Sequence, residues 1–273
     1  MTRKTGQAFL AAIGLILGII WMFPFYIVLI NSFKTQRDIF INTMGLPSKW
    51  VIDNYITAAE KLNIATTFFN SLIITVASVA VICTFSSMAA YALERVKSKS
   101  STVLFLVFAT AMLIPFQTVM LPLVAEFGRV HMLNRIGLVF MYLGFGSPLA
   151  IFLYHGALKS IPRSLDEAAI IDGCSRFQAF WMIIFPSLKP TTVTVAILNI
   201  IWIWNDYLLP SLVINKKGME TLPIMIFYFF GQYTKQWHLA MAGLTMVIIP
   251  VIIFYFLAQK EIIKGITAGA VKQ

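Results

Sequence analysis

The residues whose types and spacing indicate a specific interaction lie in the segment Ile161–Pro190. Ser164 and Glu167 have the S-x-x-E spacing of a capping box, in which each side chain satisfies a backbone amide at the start of a helix. Asp166 adds negative charge to the same first turn, where the helix dipole favours it. Gly173 lies where a left-handed residue ends a helix. The pattern predicts a short, well-terminated helix, suited to docking rather than to catalysis.

One face of this predicted helix consists of Leu165, Ala168, Ala169 and Asp172, which follow the i, i+3, i+4, i+7 spacing. The central residues of the face are small, so the backbone of another protein could approach it closely. Helix physics alone leaves a second interpretation open, because an amphipathic loop helix that lies at the lipid headgroups has a similar pattern.

Residue patterns for catalysis, metal binding or phosphate binding are missing from the sequence. It has no G-x-x-x-x-G-K-[ST] or H-E-x-x-H motif and no paired cysteines of a metal site. The sequence therefore predicts no enzyme activity, no metal site and no cofactor in this chain. Asp206 is the only acid inside or at the edge of a predicted membrane span, whereas ion-coupled carriers usually bury several ionisable groups. Energy for uphill transport would have to come from another protein.

The elements that position the predicted helix are membrane spans. Hydrophobic residues make up 59% of the 273 residues and charged residues only 12%, against about 25% charged residues in ordinary soluble domains. Uncharged stretches of about 20 residues are long enough to cross a bilayer as helices. We expect an all-α integral membrane protein with one membrane domain over residues 1–273 and six spans, near 9–31, 69–93, 102–123, 136–157, 190–209 and 239–259.

The uncharged run Thr221–Thr234 is too short to cross the bilayer, since its 14 residues extend about 21 Å as a helix. We expect an interfacial or loop helix on the outer side. The outer end of span five carries Trp204–Asp206, for which anchoring at the interface is the expected role. The outer loop Ser211–Trp237 is long enough to contact another protein.

The basic residues indicate how the chain is oriented. The formal net charge is +10, which could indicate nucleic acid binding, but the hydropathy favours a membrane protein. An even number of spans puts both termini on one side, together with 12 of the 21 Lys and Arg residues, among them the cluster Arg95–Lys99. The positive-inside rule then predicts a multi-pass protein of the cell membrane with both termini in the cytoplasm. A disulfide between Cys83 and Cys174 is not expected.

The E-A-A triplet at Glu167–Ala169, followed after three residues by Gly173, resembles the EAA loop of binding-protein-dependent ABC importer permeases. A later hydrophobic segment ends at Pro186, as in that family, with Phe185 where many relatives have leucine. Asp172 before Gly173 is similar to the carbohydrate branch of the family. Two further segments share this similarity: WNDYLLP at Trp204–Pro210 and AQKEIIKGITAGAVK at Ala258–Lys272. The resemblance runs from the first span to the C-terminus and is greatest to the maltose-type second permease subunit.

This resemblance implies that the loop helix is a coupling helix, which docks into a groove of a cytoplasmic ATPase. It further implies a heterodimer with a second permease subunit, two ATPase subunits that bind ATP and Mg, an extracytoplasmic solute-binding protein, and a sugar or oligosaccharide as substrate. The residues that it assigns to ATPase coupling are Ser164, Glu167, Ala168, Ala169, Asp172 and Gly173. The C-terminal tail would also contact the ATPase dimer, through Thr267, Gly269 and Lys272.

A sugar path would need aromatic faces together with amides and hydroxyls, because sugars present both CH patches and OH groups. Residues of these types near the middle of the bilayer are Gln117, Thr118, Tyr142, Asn199 and Trp202. Their other possible role is packing between helices. Pro115 and Pro122 are expected to kink span three.

Three rival functions follow from the same sequence. The first is an ABC permease for glycerol phosphate or another polyol, although the predicted spans contain no Lys or Arg for an anionic substrate. The second is a membrane-embedded enzyme, for which no catalytic pattern is found. The third is a channel formed by this chain alone, which a docking helix fits poorly.

Overall fold

The computed structural model describes residues 3–231 and 235–270, without the side chains of residues 3–6, 8, 257–258 and 261–270. It is built from helices and has no strand among these residues, apart from an isolated bridge between Phe230 and Lys235. The all-α class predicted from the sequence is therefore confirmed. The helices are α1 Arg3–Ser32, α2 Gln36–Ile41, α3 Asp53–Leu62, α4 Ile64–Arg95, α5 Lys99–Ala111, α6 Phe116–Arg129, α7 Arg135–Leu158, α8 Ser164–Ile171, α9 Arg176–Ala179, a π-helical turn Phe180–Ile184, α10 Phe185–Ser187, α11 Lys189–Asn205, α12 Leu208–Val213, α13 Leu222–Phe227 and α14 Trp237–Ala270.

Four helices of the described chain are long and apolar enough to cross a bilayer, and they correspond to predicted spans one, two, four and six. Two further segments pass the same criterion only as pairs of helices with a sharp bend between them. The chain has six spans if each bent pair is one span. The four segments are Phe9–Ser32, Ile64–Arg95, Arg135–Leu158 and Trp237–Phe256.

Predicted span three, 102–123, is not one straight helix, because α5 and α6 meet at an angle of 104°. Pro115 is the N-cap residue of α6 and has extended backbone angles. Its ring removes a backbone donor and disfavours helical geometry in the preceding residue, so the expected break at Pro115 is confirmed. Pro122 lies inside α6, which continues to Arg129 without interruption.

Predicted span five, 190–209, is also divided. The helical segment Arg176–Ser187 and α11 meet at 76°, and Pro190 lies in the first turn of α11, where its missing N–H costs no helical hydrogen bond. At the other end α11 stops at Asn205 because Asp206 is extended, with ψ 124°. The segment after Asp206 forms the separate helix α12.

The fold divides into two compact units, each built from two stretches of the chain. The first comprises the described residues of 1–65 and 224–252. In this unit Asn54 is buried and donates hydrogen bonds to the carbonyl oxygens of Ser32 and Lys34, both 2.8 Å. Lys34 is itself buried, and its Nζ donates to Asn42 O at 2.6 Å. These bonds fix the turn that follows α1.

The second unit comprises 66–223 and the described residues after 252. Its centre lies where α4, α7 and α11 approach each other at Gly146. A Cβ atom at this glycine would lie 2.6 Å from Ile82 Cδ1 and 2.8 Å from Asn199 Oδ1. Small residues allow membrane helices to pack this closely. The helix α8 is the next element in the chain after α7.

Candidate functional site

The helix α8 begins one residue earlier than a capping box at Ser164 requires. Arg163 is the N-cap residue, has helical backbone angles and makes no side-chain cap. Ser164 is therefore already helical, and the predicted Ser164–Glu167 capping box is wrong. Backbone bonds already form a turn here, since Leu165 N donates to Pro162 O and Asp166 N to Arg163 O.

A capping box does occur at the start of the next helix, α9. Ser175 Oγ accepts a hydrogen bond from Gln178 N at 3.3 Å, and Ser175 N donates to Gln178 Oε1 at 2.8 Å. The sequence SRFQ has the same spacing as the box expected at Ser164, so this signal was available in the sequence and was overlooked. The box fixes the chain where it leaves α8.

The end of α8 agrees with the prediction. Gly173 has φ +87°, a value that L side chains rarely adopt. Gly173 N donates to Ile170 O at 3.0 Å and Cys174 N donates to Ala169 O at 2.9 Å. This pair of bonds is the Schellman motif, which satisfies the last carbonyl groups of a helix. Since nothing lies within 4 Å of a Cβ placed at Gly173, the backbone conformation and not space is what requires glycine.

The first turn of α8 is bound to the end of α4 through Asp166. Arg95 Nε lies 2.9 Å from Asp166 Oδ2, and Tyr91 Oη donates to Asp166 Oδ1 at 2.6 Å. The side chains of Arg95 and Asp166 are only 14% and 13% exposed. Arg95 also donates to Ile161 O at 3.3 Å. Sequence analysis treated Asp166 only as a charge near the helix dipole and missed this anchor.

A second connection joins the same two helix ends. Arg163 Nη2 donates to the backbone oxygen of Glu94 at 2.7 Å. The carboxylate of Glu94 lies 3.2 Å from His155 Nε2 on α7. The ends of α4 and α7 and the start of α8 are therefore held together by polar contacts, in which the side chains of Glu94 and His155 are largely buried and that of Arg163 is 39% exposed.

Three of the four residues of the predicted face, Leu165, Ala168 and Asp172, are exposed, and the fourth is not. Ala169 is buried with 2% exposure, so it packs within the chain and does not present itself to a partner. Ser164, Leu165 and Ile170 are exposed, and so are four residues toward the C-terminal end of the helix: Glu167, Ala168, Ile171, which is 84% exposed, and Asp172. We call these four residues the docking surface. It carries two carboxylates beside an exposed aliphatic side chain, and a cavity of about 340 Å³ adjoins it, lined by Glu167, Tyr91 and Arg176 among others.

The candidate residues for a substrate path separate into two groups. Tyr142 Oη donates to Asp206 Oδ2 at 2.9 Å, and the Tyr142 ring packs edge-on against Trp202 with centroids 5.4 Å apart. Trp202 is 40% exposed, so one part of its ring is free. Asn199 is buried on the same helix and donates to Val195 O at 2.8 Å, as expected for its alternative role in packing. Sequence analysis did not connect Asp206 with Tyr142.

Gln117 and Thr118 form the second group. Both lie in the first turn of α6, directly after the break at Pro115, and both are exposed. Within the described chain, neither residue makes a hydrogen bond to Tyr142 or Asp206. The interfacial role expected for Trp204 is wrong, because its ring is buried and packs edge-on against Phe68.

The loop after α12, which the sequence predicts on the outer side, is fixed at its base by polar contacts. Asn70 Nδ2 donates to the backbone oxygens of Gly218 and Glu220, at 3.0 and 2.9 Å. Arg135 Nη2 donates to Asn70 Oδ1 at 2.6 Å. The expected helix in 221–234 exists as α13 but covers only Leu222–Phe227.

The C-terminal tail continues α14 as helix to Ala270. Thr267 and Gly269 lie in this helix, within the range for which the structure describes only the backbone. Lys272 lies outside the described residues. The described part of the chain contains no cluster of three or more His, Cys, Asp or Glu residues that could hold a metal ion.

The chain is similar to permease proteins of known sugar transport systems. Over 264 residues, 97% of this chain and 96% of the relative, the chain is 64% identical to the probable starch degradation products transport system permease protein AmyC of Thermoanaerobacterium thermosulfurigenes. It is 37% identical to the multiple sugar-binding transport system permease protein MsmG of Streptococcus mutans, over 93% of each chain. These relatives confirm the resemblance to permeases of the carbohydrate branch.

A solved structure shows the same fold. It is the crystal structure of a bacterial ABC transporter involved in the import of the acidic polysaccharide alginate, and the match has a TM-score of 0.77 at 22% identity, over 95% of this chain and 98% of that chain. A family model described as "binding-protein-dependent transport system inner membrane component" matches residues 82–267, a range that includes all of α8. This chain is therefore a member of the family of inner membrane components of binding-protein-dependent transport systems.

Proposed function

We propose that this chain is a permease subunit of an ATP-driven sugar importer, with both termini in the cytoplasm, and that α8 couples it to cytoplasmic ATPase subunits. One observation carries the proposal: a short helix with an acidic, exposed docking surface is bound to the end of a membrane-crossing helix through Asp166, Arg95 and Tyr91. ATP and Mg would be bound by the ATPase partners and not by this chain.

The substrate class is supported by the relatives. The 64% identical protein is named for starch degradation products and the 37% identical one for multiple sugars. We infer that this chain transports short oligosaccharides of α-linked glucose. The glycerol phosphate or polyol alternative is not favoured, since none of the predicted spans carries a Lys or Arg for a phosphate group.

Coupling requires that movement at α8 reaches the membrane helices. A helix that frays would absorb a displacement, whereas the Schellman motif at Gly173 and the buried contacts of Asp166 hold both ends of α8. A displacement of the docking surface would then pull on α4 through Arg95 and on α7 through the chain itself. The exposed carboxylates of Glu167 and Asp172 would pair with basic groups on the ATPase.

A second permease subunit is proposed as the partner of α1. Every residue from 9 to 26 of this helix is exposed. Gly14 and Gly18 have the small-xxx-small spacing that allows two membrane helices to approach closely, and a Cβ at either position would meet nothing within 4 Å in this chain. The docking helix and the unpartnered α1 together favour a heterodimeric complex, and they argue against a channel formed by this chain alone.

The proposal is tested by reconstituting the full complex, with the second permease, the ATPase and the solute-binding protein, in sealed vesicles. We expect uptake of a labelled glucose oligosaccharide that needs ATP on the ATPase side. A second preparation carries Glu167→Lys and Asp172→Lys. These substitutions reverse the charge of the docking surface and should abolish ATPase binding, and uptake with it. Uptake that persists without any ATPase would refute the coupling role, and ATP-dependent uptake of glycerol 3-phosphate instead of sugar would refute the substrate class.

A further inference from the structure

A cavity of about 530 Å³ lies beside the ends of α4 and α7 and the start of α5. It belongs to the side of the chain that carries Arg95–Lys99 and is distinct from the docking surface. Besides Glu94 and His155, its polar lining has three lysines and three hydroxyl residues: Lys97, Lys99, Lys159, Ser98, Ser101 and Thr102. Neither the coupling helix nor the proposed sugar path uses these residues.

The charge of this cavity is positive. Lys97, Lys99 and Lys159 are all exposed, and none of them has an ion pair with another residue of the described chain. Glu94 is the one acid in the lining. Its carboxylate lies 3.2 Å from His155 and 3.9 Å from Arg163, and its single negative charge against three lysines leaves the lining with a net positive charge.

The start of α5 adds hydrogen-bond donors to the cavity. Ser98 is the N-cap residue, and its Oγ accepts from Ser101 N at 3.1 Å, which leaves the hydroxyl proton of Ser98 free to donate. The first amides of a helix have no partner within the helix, and the helix dipole favours an anion there. Three ammonium groups, a hydroxyl and a helix N-terminus together are the chemistry that binds a phosphate group.

The surroundings indicate that the phosphate belongs to a lipid. Phe105 lines the cavity and stacks against His155, with ring centroids 4.1 Å apart. The surface that continues from it along α5 and α7 is apolar and exposed, with Val103 58%, Leu106 54% and Phe152 51% exposed. A lipid with its charged group in the cavity could place its apolar tail along this surface. A soluble phosphate has no such tail and would leave the apolar surface uncovered.

We propose that this cavity binds the headgroup of an anionic phospholipid from the cytoplasmic leaflet. Basic pockets between membrane helices on that side of a bilayer are suited to such headgroups. The lysines hold the phosphate, while the acyl chains lie against Val103, Leu106 and Phe152. The cavity is thus a lipid site, separate from the proposed transport path.

The test is native mass spectrometry of the full complex, purified in detergent and titrated with phosphatidylglycerol or phosphatidylcholine. We expect phosphatidylglycerol to bind preferentially, and the variant K97Q/K99Q/K159Q to weaken that binding about fivefold for each lysine, or about a hundredfold in all. The control K49Q/K216Q/K217Q removes three exposed lysines from the predicted outer side and should leave the affinity unchanged.

Three outcomes would overturn the proposal. One is equal binding of phosphatidylglycerol to the triple variant and the unaltered complex. Another is an equal loss in the control variant, which would indicate unspecific attraction to positive charge. The third is displacement of phosphatidylglycerol by millimolar inorganic phosphate, which would assign the cavity to a soluble phosphate. Because no sugar or ATP is present, failure here is distinguishable from failure of the proposed transport function.

Discussion

Asp166 in the first turn of α8 and Arg95 in the last turn of α4 form an ion pair of 2.9 Å in which both side chains are largely buried. Tyr91, one helical turn before Arg95, binds the other oxygen of the same carboxylate. The pair places a buried polar link to α4 next to the docking surface, with the exposed Glu167 as the next residue in the chain. It is a contact through which force on α8 would reach the membrane.

Asp166→Ala should uncouple the complex. Removal of one partner from a buried ion pair typically costs about 3–5 kcal/mol, since the other charge is left buried and unpaired. We expect the loss of stability to be near the lower limit, because Arg95 keeps its bond to Ile161 O. We also expect sugar uptake to fall more than ATP hydrolysis. Uptake per ATP hydrolysed and the thermal unfolding of the complex measure the two effects.

The exposed pair Glu126–Arg129 provides the control for this variant. Its distance is 2.7 Å, but the side chains are 64% and 74% exposed, and such pairs contribute little to stability. Glu126→Ala should change neither uptake nor unfolding. If Asp166→Ala behaved in the same way, the contact would not be a mechanical link.

Gly173→Val should lower coupling by straining the end of α8. The residue has φ +87°, and a β-branched side chain in the left-handed region costs roughly 1–3 kcal/mol. Gly173→Asn should be tolerated better, because asparagine enters this region more readily. The measurement is sugar-stimulated ATPase activity beside uptake. Gly156→Val is the matched control in α7, where φ is not positive and nothing lies within 4 Å of the added Cβ. Equal losses of coupling in both variants would contradict the argument.

Trp202→Ala should raise the KM for sugar uptake at least several-fold, while ATP hydrolysis by the complex without sugar stays unchanged. The reason is that Trp202 exposes part of its ring while the other part is held against Tyr142, and a fixed aromatic face is suited to stacking on a sugar ring. Ile201→Ala, a neighbouring exposed residue of the same helix, is the control. An unchanged KM in Trp202→Ala would assign this ring to packing alone.

Gly14→Leu together with Gly18→Leu should prevent assembly with the second permease. Both positions are open within this chain, so the fold of the chain itself should be retained. Bulky side chains in a small-xxx-small pattern keep two helices apart. Co-purification of the two permeases measures the loss, and Gly144→Leu in α7, which is equally open, is the control. Normal assembly of the double variant would show that α1 faces lipid.

Local patterns were sufficient where one short segment decides the outcome. Gly173 ends α8 and Pro115 breaks the helical run because each residue restricts its own backbone, whatever surrounds it. The capping box failed at Ser164 because the chain arrives there already turned, through backbone bonds from Pro162 and Arg163. Backbone donors and acceptors from before Ser164 therefore form the first turn in place of the capping box, and the S-x-x-E pattern does not include those residues.

The sequence by itself determined the all-helical class, the membrane setting and the family, because hydropathy over 20 residues and a glycine after a short helix are properties of contiguous residues. Only the tertiary structure decided that Asp166 binds Arg95, that Tyr142 binds Asp206, and that Ala169 is buried while Ile171 is exposed. These relationships depend on how separate helices are placed against each other. The close approach of α4, α7 and α11 at Gly146 is one example of such a placement, and no single stretch of sequence encodes it.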